Sequence, residues 1–340
     1  MTPSSGKQRA RRSGYGLFMG LALVGLAGLG FVVTRDSWAW VSAHPEYRFD
    51  PRRIDLGARR PAWMQREALA EAFFAAYLRA AGPPFSLHDD VALAGYERSV
   101  GASPWVHAVG LRRELPRTVR LELDLRQPVL AVLDTAGHLW LLAADGTPLP
   151  LERGQPGLAE LEQELAARRR PDGGLALPDP AEVCTARPEP FGLPLVLGGP
   201  ALDPRGGLGD EAPGRRHAAD AARIAALFEG EVRPYLTAAG VEVPPLLGVD
   251  ASNCGYRRFL GRAEYRLVLL DPEGHPVYLD WGHAPGSPYP VLPWQDKARN
   301  LRRLLGGWPG LRGLDGGDLR FSRSWREQAR LRDPEGGQPR

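Results

Sequence analysis

The longest unbroken pattern along the chain is apolar. Tyr15–Val33 (YGLFMGLALVGLAGLGFVV) holds no charge, and none occurs from Ser13 to Thr34. At about 1.5 Å per residue a helix of this length spans roughly 28 Å, close to the hydrocarbon thickness of a bilayer. A helix at the surface of a globular core has one polar face, which this run lacks. The pattern therefore predicts a transmembrane helix over 15–34. Val41-Ser42-Ala43 offers the rival reading of a signal-peptide cleavage site. That site lies well past the apolar run, which itself exceeds the usual signal core of about 7–15 residues. Gly16 and Gly20, with Gly25 and Gly28, leave room for a close helix neighbour.

Further on the periods are those of a folded domain. Tyr47–Leu56 is a candidate strand. Trp63–Ala81 carries apolar residues near a 3.6 period, from Met64 to Tyr77, between Pro61 and Gly82-Pro83-Pro84, which predicts a helix. A second helix is expected at Asp89–Val100. Val119-Arg120-Leu121-Glu122-Leu123-Asp124-Leu125-Arg126 alternates without error and predicts a strand with Leu121 and Leu123 buried. Val106–Leu115 pairs with it through the turn at Pro116. The order strand, helix, helix, strand, strand is a small α+β unit over 47–127.

From 128 to 325 the signals are mainly β. Val129–Asp134, His138–Ala143 and a return after Asp145-Gly146 predict a meander. Pro150–Pro190 reads as a Pro/Gly-rich insertion with one helix, Leu158–Arg170. Pro194–Gly198 reads as a strand, 200–214 as a loop, 217–229 as a helix, and Tyr265–Leu270 with Val277–Trp281 as a hairpin. Asp296–Leu305 is a short amphipathic helix and Asp318–Phe321 a late strand; the tail at 326–340 reads as disordered.

Charge then fixes orientation. The chain carries 43 basic and 40 acidic residues. Lys7, Arg9, Arg11 and Arg12 stand before the apolar run with no acid among residues 1–14, leaving 39 basic against 40 acidic residues elsewhere. The positive-inside rule puts residues 1–14 in the cytoplasm and the bulk of the chain outside it. With the excess confined to a tail, no nucleic-acid-binding surface is indicated. Lys7 and Lys297 are the only lysines.

The chain lacks the motifs of a nucleophile elbow, a phosphate-binding loop or a His-Glu-x-x-His zinc site. Gly206-Gly207-Leu208-Gly209 follows Pro204-Arg205 rather than a strand and reads as a loop. Asp280 and His283 offer a carboxylate and an imidazole near a strand end, the one arrangement a hydrolase or metal site would use. Cys254, near Tyr256 and His275, offers a thiol; Cys184 and Cys254 pair or stay free. No constellation of catalytic residues assembles, and no cofactor is implied.

The run Ser103–Val129 (SPWVHAVGLRRELPRTVRLELDLRQPV) resembles the bacterial cell-division family FtsQ/DivIB: Pro-Trp-Val, a basic strand, a Pro turn, an alternating strand, then Arg-x-Pro-Val. Leu142–Pro150, Leu193–Gly198, Lys297–Leu305 and Asp318–Phe321 add shorter matches. The stretch 150–190 is longer than is usual in the family, and Asn253-Cys254-Gly255 and the loop Trp281–Trp294 depart from it. The resemblance implies an α+β protein: a POTRA-like domain at 47–127 and a β-domain at 128–325 behind one membrane anchor. It implies a non-enzymatic divisome scaffold at the septum, holding small membrane division proteins of the FtsB/FtsL type, with further division proteins at the POTRA-like domain. The late strand then supplies a sheet edge for an added partner strand, with Asp318, Leu319, Arg320, Phe321 and Trp325 at the contact and Phe321 or Trp325 as its apolar anchor. Two other classes remain: a different envelope-assembly scaffold, and a membrane-anchored hydrolase using Asp280 and His283.

Overall fold

The computed structural model describes residues 6–53, 60–114, 118–134, 136–155, 157–169, 191–198, 215–256, 262–320 and 329–331. The protein is α+β. It opens with one long helix, α1 (Gly6–Ala43), of which Met19–Val41 is long and apolar enough to cross a membrane. Its described apolar side chains, Leu21, Val24 and Phe31 among them, are more than half exposed. Among the described residues nothing covers them.

The remaining chain forms two compact units. The first takes in Met1–Asp55, Ala80–Ala102 and Ala108–Leu123, and the second Leu56–Arg79, Ser103–His107 and Asp124–Arg340.

In the first unit β1 (Arg48–Phe49) pairs antiparallel with β2 (Phe85–Ser86). Phe49, Phe85 and Tyr96 meet with ring centroids 5.6–5.7 Å apart. Tyr96 lies on α3 (Asp90–Gly101), whose N-terminus is capped by Asp89 accepting from the Ala92 N–H at 2.9 Å. The predicted hairpin is present as β3 (Val106–Glu114) and β4 (Thr118–Leu125), a two-stranded ribbon. Val119 is buried, whereas Leu121 and Leu123 are only half-buried. The alternation was read correctly and its depth was not. A two-stranded ribbon has no flanking strands to enclose its apolar face.

In the second unit α2 (Glu67–Ala80) starts four residues later than expected. Ala62–Gln65 instead form a 3₁₀ turn and Arg66 is extended. Leu69, Ala72, Phe73 and Ala76 make its buried stripe. Trp105 is fully buried, stacks on Trp63 at 6.2 Å and donates from Nε1 to the Pro150 carbonyl at 3.1 Å. Arg126 gathers the Pro-Trp-Val segment. Its guanidinium donates to the Pro104 and Val106 carbonyls and to Asp145, and its backbone N–H to the Trp105 carbonyl.

Among the described residues the dominant element is one mixed sheet of nine strands, in the order β13-β12-β11-β10-β9-β8-β5-β6-β7. The members are β5 (Pro128–Leu133), β6 (Leu139–Ala143), β7 (Pro148–Leu149), β8 (Leu195–Leu197), β9 (Leu246–Asp250), β10 (Tyr265–Leu270), β11 (Pro276–Gly282), β12 (Leu314–Asp318) and β13 (Ala329–Leu331). It is not a simple meander: β5–β8, β8–β9 and β11–β12 run parallel, and parallel neighbours require crossovers. Those crossovers are helical. After α4 (Leu158–Ala167) comes α5 (Arg215–Leu227), continued through a π turn at Phe228–Val232 into α6 (Arg233–Ala238). Then α7 (Trp294–Gly307) joins β11 to β12. Leu130, Val249, Leu267 and Leu279 form the core with Ala222, Phe228 and Leu301 of the helices. Gly248 lies opposite Leu195, where a Cβ would come within 2.3 Å of the Leu195 carbonyl oxygen. At one end of the sheet β7 is two residues long, begins with Pro148 and is followed by Pro150. Of the insertion, α4 is described; the expected loop at 200–214 and Cys184 lie outside the described residues.

Candidate functional site

Of the residues marked for partner binding, Asp318, Leu319 and Arg320 fall at the other end of the sheet. The late strand is β12, which ends at Asp318 where the expected strand began. Asp318 ends it chemically: its carboxylate Oδ1 accepts the Arg320 N–H at 2.8 Å, turning the chain out of the ladder. Leu319 is 1% exposed and belongs to the core, so it presents nothing to a partner. Arg320 donates from its guanidinium to Asp318 at 2.9 Å and stands 3.8 Å from the buried Asp280. Phe321 and Trp325 lie outside the described residues.

A second correction concerns the edge. β12 is not the outermost strand. It pairs parallel with β11 through Tyr278↔Gly316, Leu279↔Gly317 and Asp280↔Asp318. On its other side it pairs antiparallel with β13 through Leu314↔Leu331, Gly316↔Arg330 and Gly317↔Ala329. The tail expected to be disordered therefore contributes a strand at Ala329–Leu331, and among the described residues the outer row of β13 is the open edge.

Behind this edge α7 is fastened by two polar side chains on its buried stripe, Lys297 and Asn300. The Lys297 Nζ donates to the Trp281 carbonyl and sits 4.2 Å from the centroid of the Trp281 ring. Asn300, one turn on, donates to the Leu319 carbonyl at 3.2 Å. Each thus satisfies a carbonyl just beyond the paired residues of β11 or β12, as buried polar groups require. Burial pushes the Lys297 ammonium down to about 7; the Asp318 charge opposes the shift and that of Arg320 adds to it. Neither residue was singled out by the sequence. The one signal was a lysine in a chain whose only other lysine is Lys7.

Asp280 and His283, the residues weighed for chemistry, each have a partner among the described residues. Asp280 faces Arg320, while His283 pairs instead with Glu264 at 2.9 Å and stacks on Tyr289 at 4.8 Å. Cys254 is fully buried. The Tyr265 hydroxyl donates to Asp220 at 3.1 Å and lies 3.0 Å from His217 Nδ1; burial, then the charges of Asp220, Glu264 and Cys254, push it far above its ordinary value. Asp271, Glu273 and His275 have ligand atoms within 4.8 Å of one another. Asp271, however, closes the β10–β11 turn by accepting the Glu273 and His275 N–H groups.

The class is thus defined by one apolar helix of membrane-spanning length and a mixed nine-stranded sheet ending in a short strand. No family model matches the chain. No curated protein matches it either.

Proposed function

We propose that this protein is a non-enzymatic, single-pass scaffold of the bacterial divisome, of the FtsQ/DivIB kind. It sits in the inner membrane with residues 1–14 in the cytoplasm. The C-terminal end of its sheet holds an extended segment of a small division protein of the FtsB/FtsL type. The observation that carries this reading is the asymmetry of the nine-stranded sheet: Pro148 blunts one end, and at the other β13 leaves a row of backbone groups open among the described residues. Open edges recruit extended partners through main-chain hydrogen bonds and need no catalytic group. The gathering of Pro104-Trp105-Val106 by Arg126 supports it as well, because these are the residues on which the resemblance to that family rests. The separate engagement of Asp280 and His283 weighs against the hydrolase alternative.

The test is the position of the full chain, fused to a fluorescent protein at its N-terminus, in dividing cells. A mid-cell band is expected. A signal spread evenly around the envelope would overturn the divisome reading in favour of another envelope scaffold.

A further inference from the structure

We propose that Lys297, Asp318 and Arg320 form a proton-driven switch: on taking up a proton, the Lys297 amine draws the Asp318 carboxylate away from Arg320 and opens the turn that ends β12. The switch is a property of the fold and does not rest on the scaffold reading above.

The first observation is an amine with a prepared place and no counter-charge. Lys297 is 2% exposed. It touches the Trp281 carbonyl and ring face, and among the described residues no carboxylate pairs with it. A carbonyl accepts a hydrogen bond from the neutral amine as readily as from the ammonium. It does not supply the opposite charge that a buried ammonium requires. Burial brings the amine down to about 7, so both of its forms are populated near neutral pH.

The second is that the carboxylates beside it are held by another cation. Lys297 and Asn300 bond the Trp281 and Leu319 carbonyls, and these residues directly follow Asp280 and Asp318. Asp280 and Asp318 stand opposite each other in the β11–β12 ladder. The Arg320 guanidinium donates to Asp318 at 2.9 Å and lies 3.8 Å from Asp280. Two carboxylates thus face one guanidinium, and a proton on Lys297 supplies the second cation.

The third is that Asp318 has two tasks. Besides holding the guanidinium, its Oδ1 accepts the Arg320 backbone N–H at 2.8 Å and closes the turn. Its charge favours the Lys297 proton, whereas that of Arg320 opposes it. The groups elsewhere on the elements packed against α7 are occupied or turned outward. Glu229 of the π turn bonds Arg233 of α6, Asp296 bonds Arg299 on α7 itself, and Glu231 is exposed. Asp315 of β12 is half-buried, and its field does not act on the amine. Asp318 is therefore the carboxylate for which a charged Lys297 competes. The exchange trades one ion pair for another, so the cost of holding the ammonium away from water remains.

The test is modification of the full chain, in nonionic micelles, with the arginine reagent phenylglyoxal, located by mass spectrometry of a chymotryptic digest. The yield at Arg320 is divided by that at the exposed Arg53 in the same sample, which cancels the reagent's own dependence on pH. The ratio should be about fivefold higher at pH 6 than at pH 8.5. Lys297→Met should hold it at the lower level at both pH values, and Asp318→Asn should hold it at the higher. A flat ratio in the native chain would overturn the proposal. So would a step that survives in Lys297→Met, which would put the proton on another group, or one that survives in Asp318→Asn, which would free Arg320 by another route. Arg233, bonded to the Val243 and Pro244 carbonyls, serves as the internal control. A parallel rise at Arg233 would mean that the whole sheet opens rather than this turn, and would overturn the proposal as well.

Discussion

Replacing Lys297 by methionine should abolish a specific pH dependence of stability. The amine is 2% exposed and ionises in the folded protein near 7, against an ordinary 10.5. Below about 7 it is charged in both folded and unfolded states, and the folded state bears the full cost of burying the charge. Above about 10.5 it is neutral in both, and that cost is gone. Between the two values the unfolded chain binds more protons, so stability rises with pH. At about 1.36 kcal/mol per pH unit, the displacement corresponds to roughly 5 kcal/mol. The assay is urea unfolding of the full chain in nonionic micelles from pH 6 to 10.5, followed by tryptophan fluorescence, for the native protein and Lys297→Met. Every other titrating group is common to both, so the difference between the two curves isolates the amine. That difference should move by roughly 5 kcal/mol in favour of the native protein as pH rises from below 7 to 10.5. A difference that is flat, or that falls with pH, would mean that the amine is hydrated or ion-paired, and the account of the α7 clamp would be wrong.

Gly248→Ala should destabilise the sheet by about 3 kcal/mol, because its Cβ meets the Leu195 carbonyl, a backbone atom that cannot swing away; a midpoint unchanged in denaturant would refute the β8–β9 register. Asp134→Ala should cost about 2–3 kcal/mol, since it strands the Trp140 indole N–H and the Ala136 and His138 amides. Burial alone would raise the Asp134 carboxyl, but those bonds and the charge of His138 hold it below 3.8, so its contribution persists above that value and fades as pH falls through the depressed one. Acid unfolding of Asp134→Asn should lack that component. Leu123→Ala should cost about 1 kcal/mol rather than the larger loss of a fully buried leucine, because its side chain is half-exposed; a loss above about 3 kcal/mol would show the ribbon to be covered.

The elements that were legible are those whose signals are local. The helix expected at Asp89–Val100 is α3 at Asp90–Gly101, the alternation from Val119 to Leu125 is a strand, and Asp145-Gly146 turns between β6 and β7. What escaped depends on partners distant in sequence. Leu314-Asp315-Gly316-Gly317 has the composition of a loop and becomes β12 because β11 lies beside it. Ala329–Leu331 is polar in context and becomes a strand only through β12. Lys297 reads as a solvated position on an amphipathic helix, and only the Trp281 carbonyl and ring make its burial tolerable. Leu319 was grouped with its exposed neighbours; its inward direction follows from the turn that Asp318 makes with Arg320. At the candidate site, then, the late strand expected at Asp318–Phe321 is instead set at Leu314–Asp318.

The blunt end at Pro148 has a consequence for stoichiometry. Proline carries no N–H, and a two-residue strand leaves almost no ladder on which to build. Copies of this chain are therefore poorly suited to joining one sheet to the next in a continuous ribbon. On the proposed reading each sheet is univalent, able to take one foreign strand at one end and none at the other. Membrane-anchored copies would then meter their partner one for one, and the number of scaffold chains at a site would set the number of partner chains retained there.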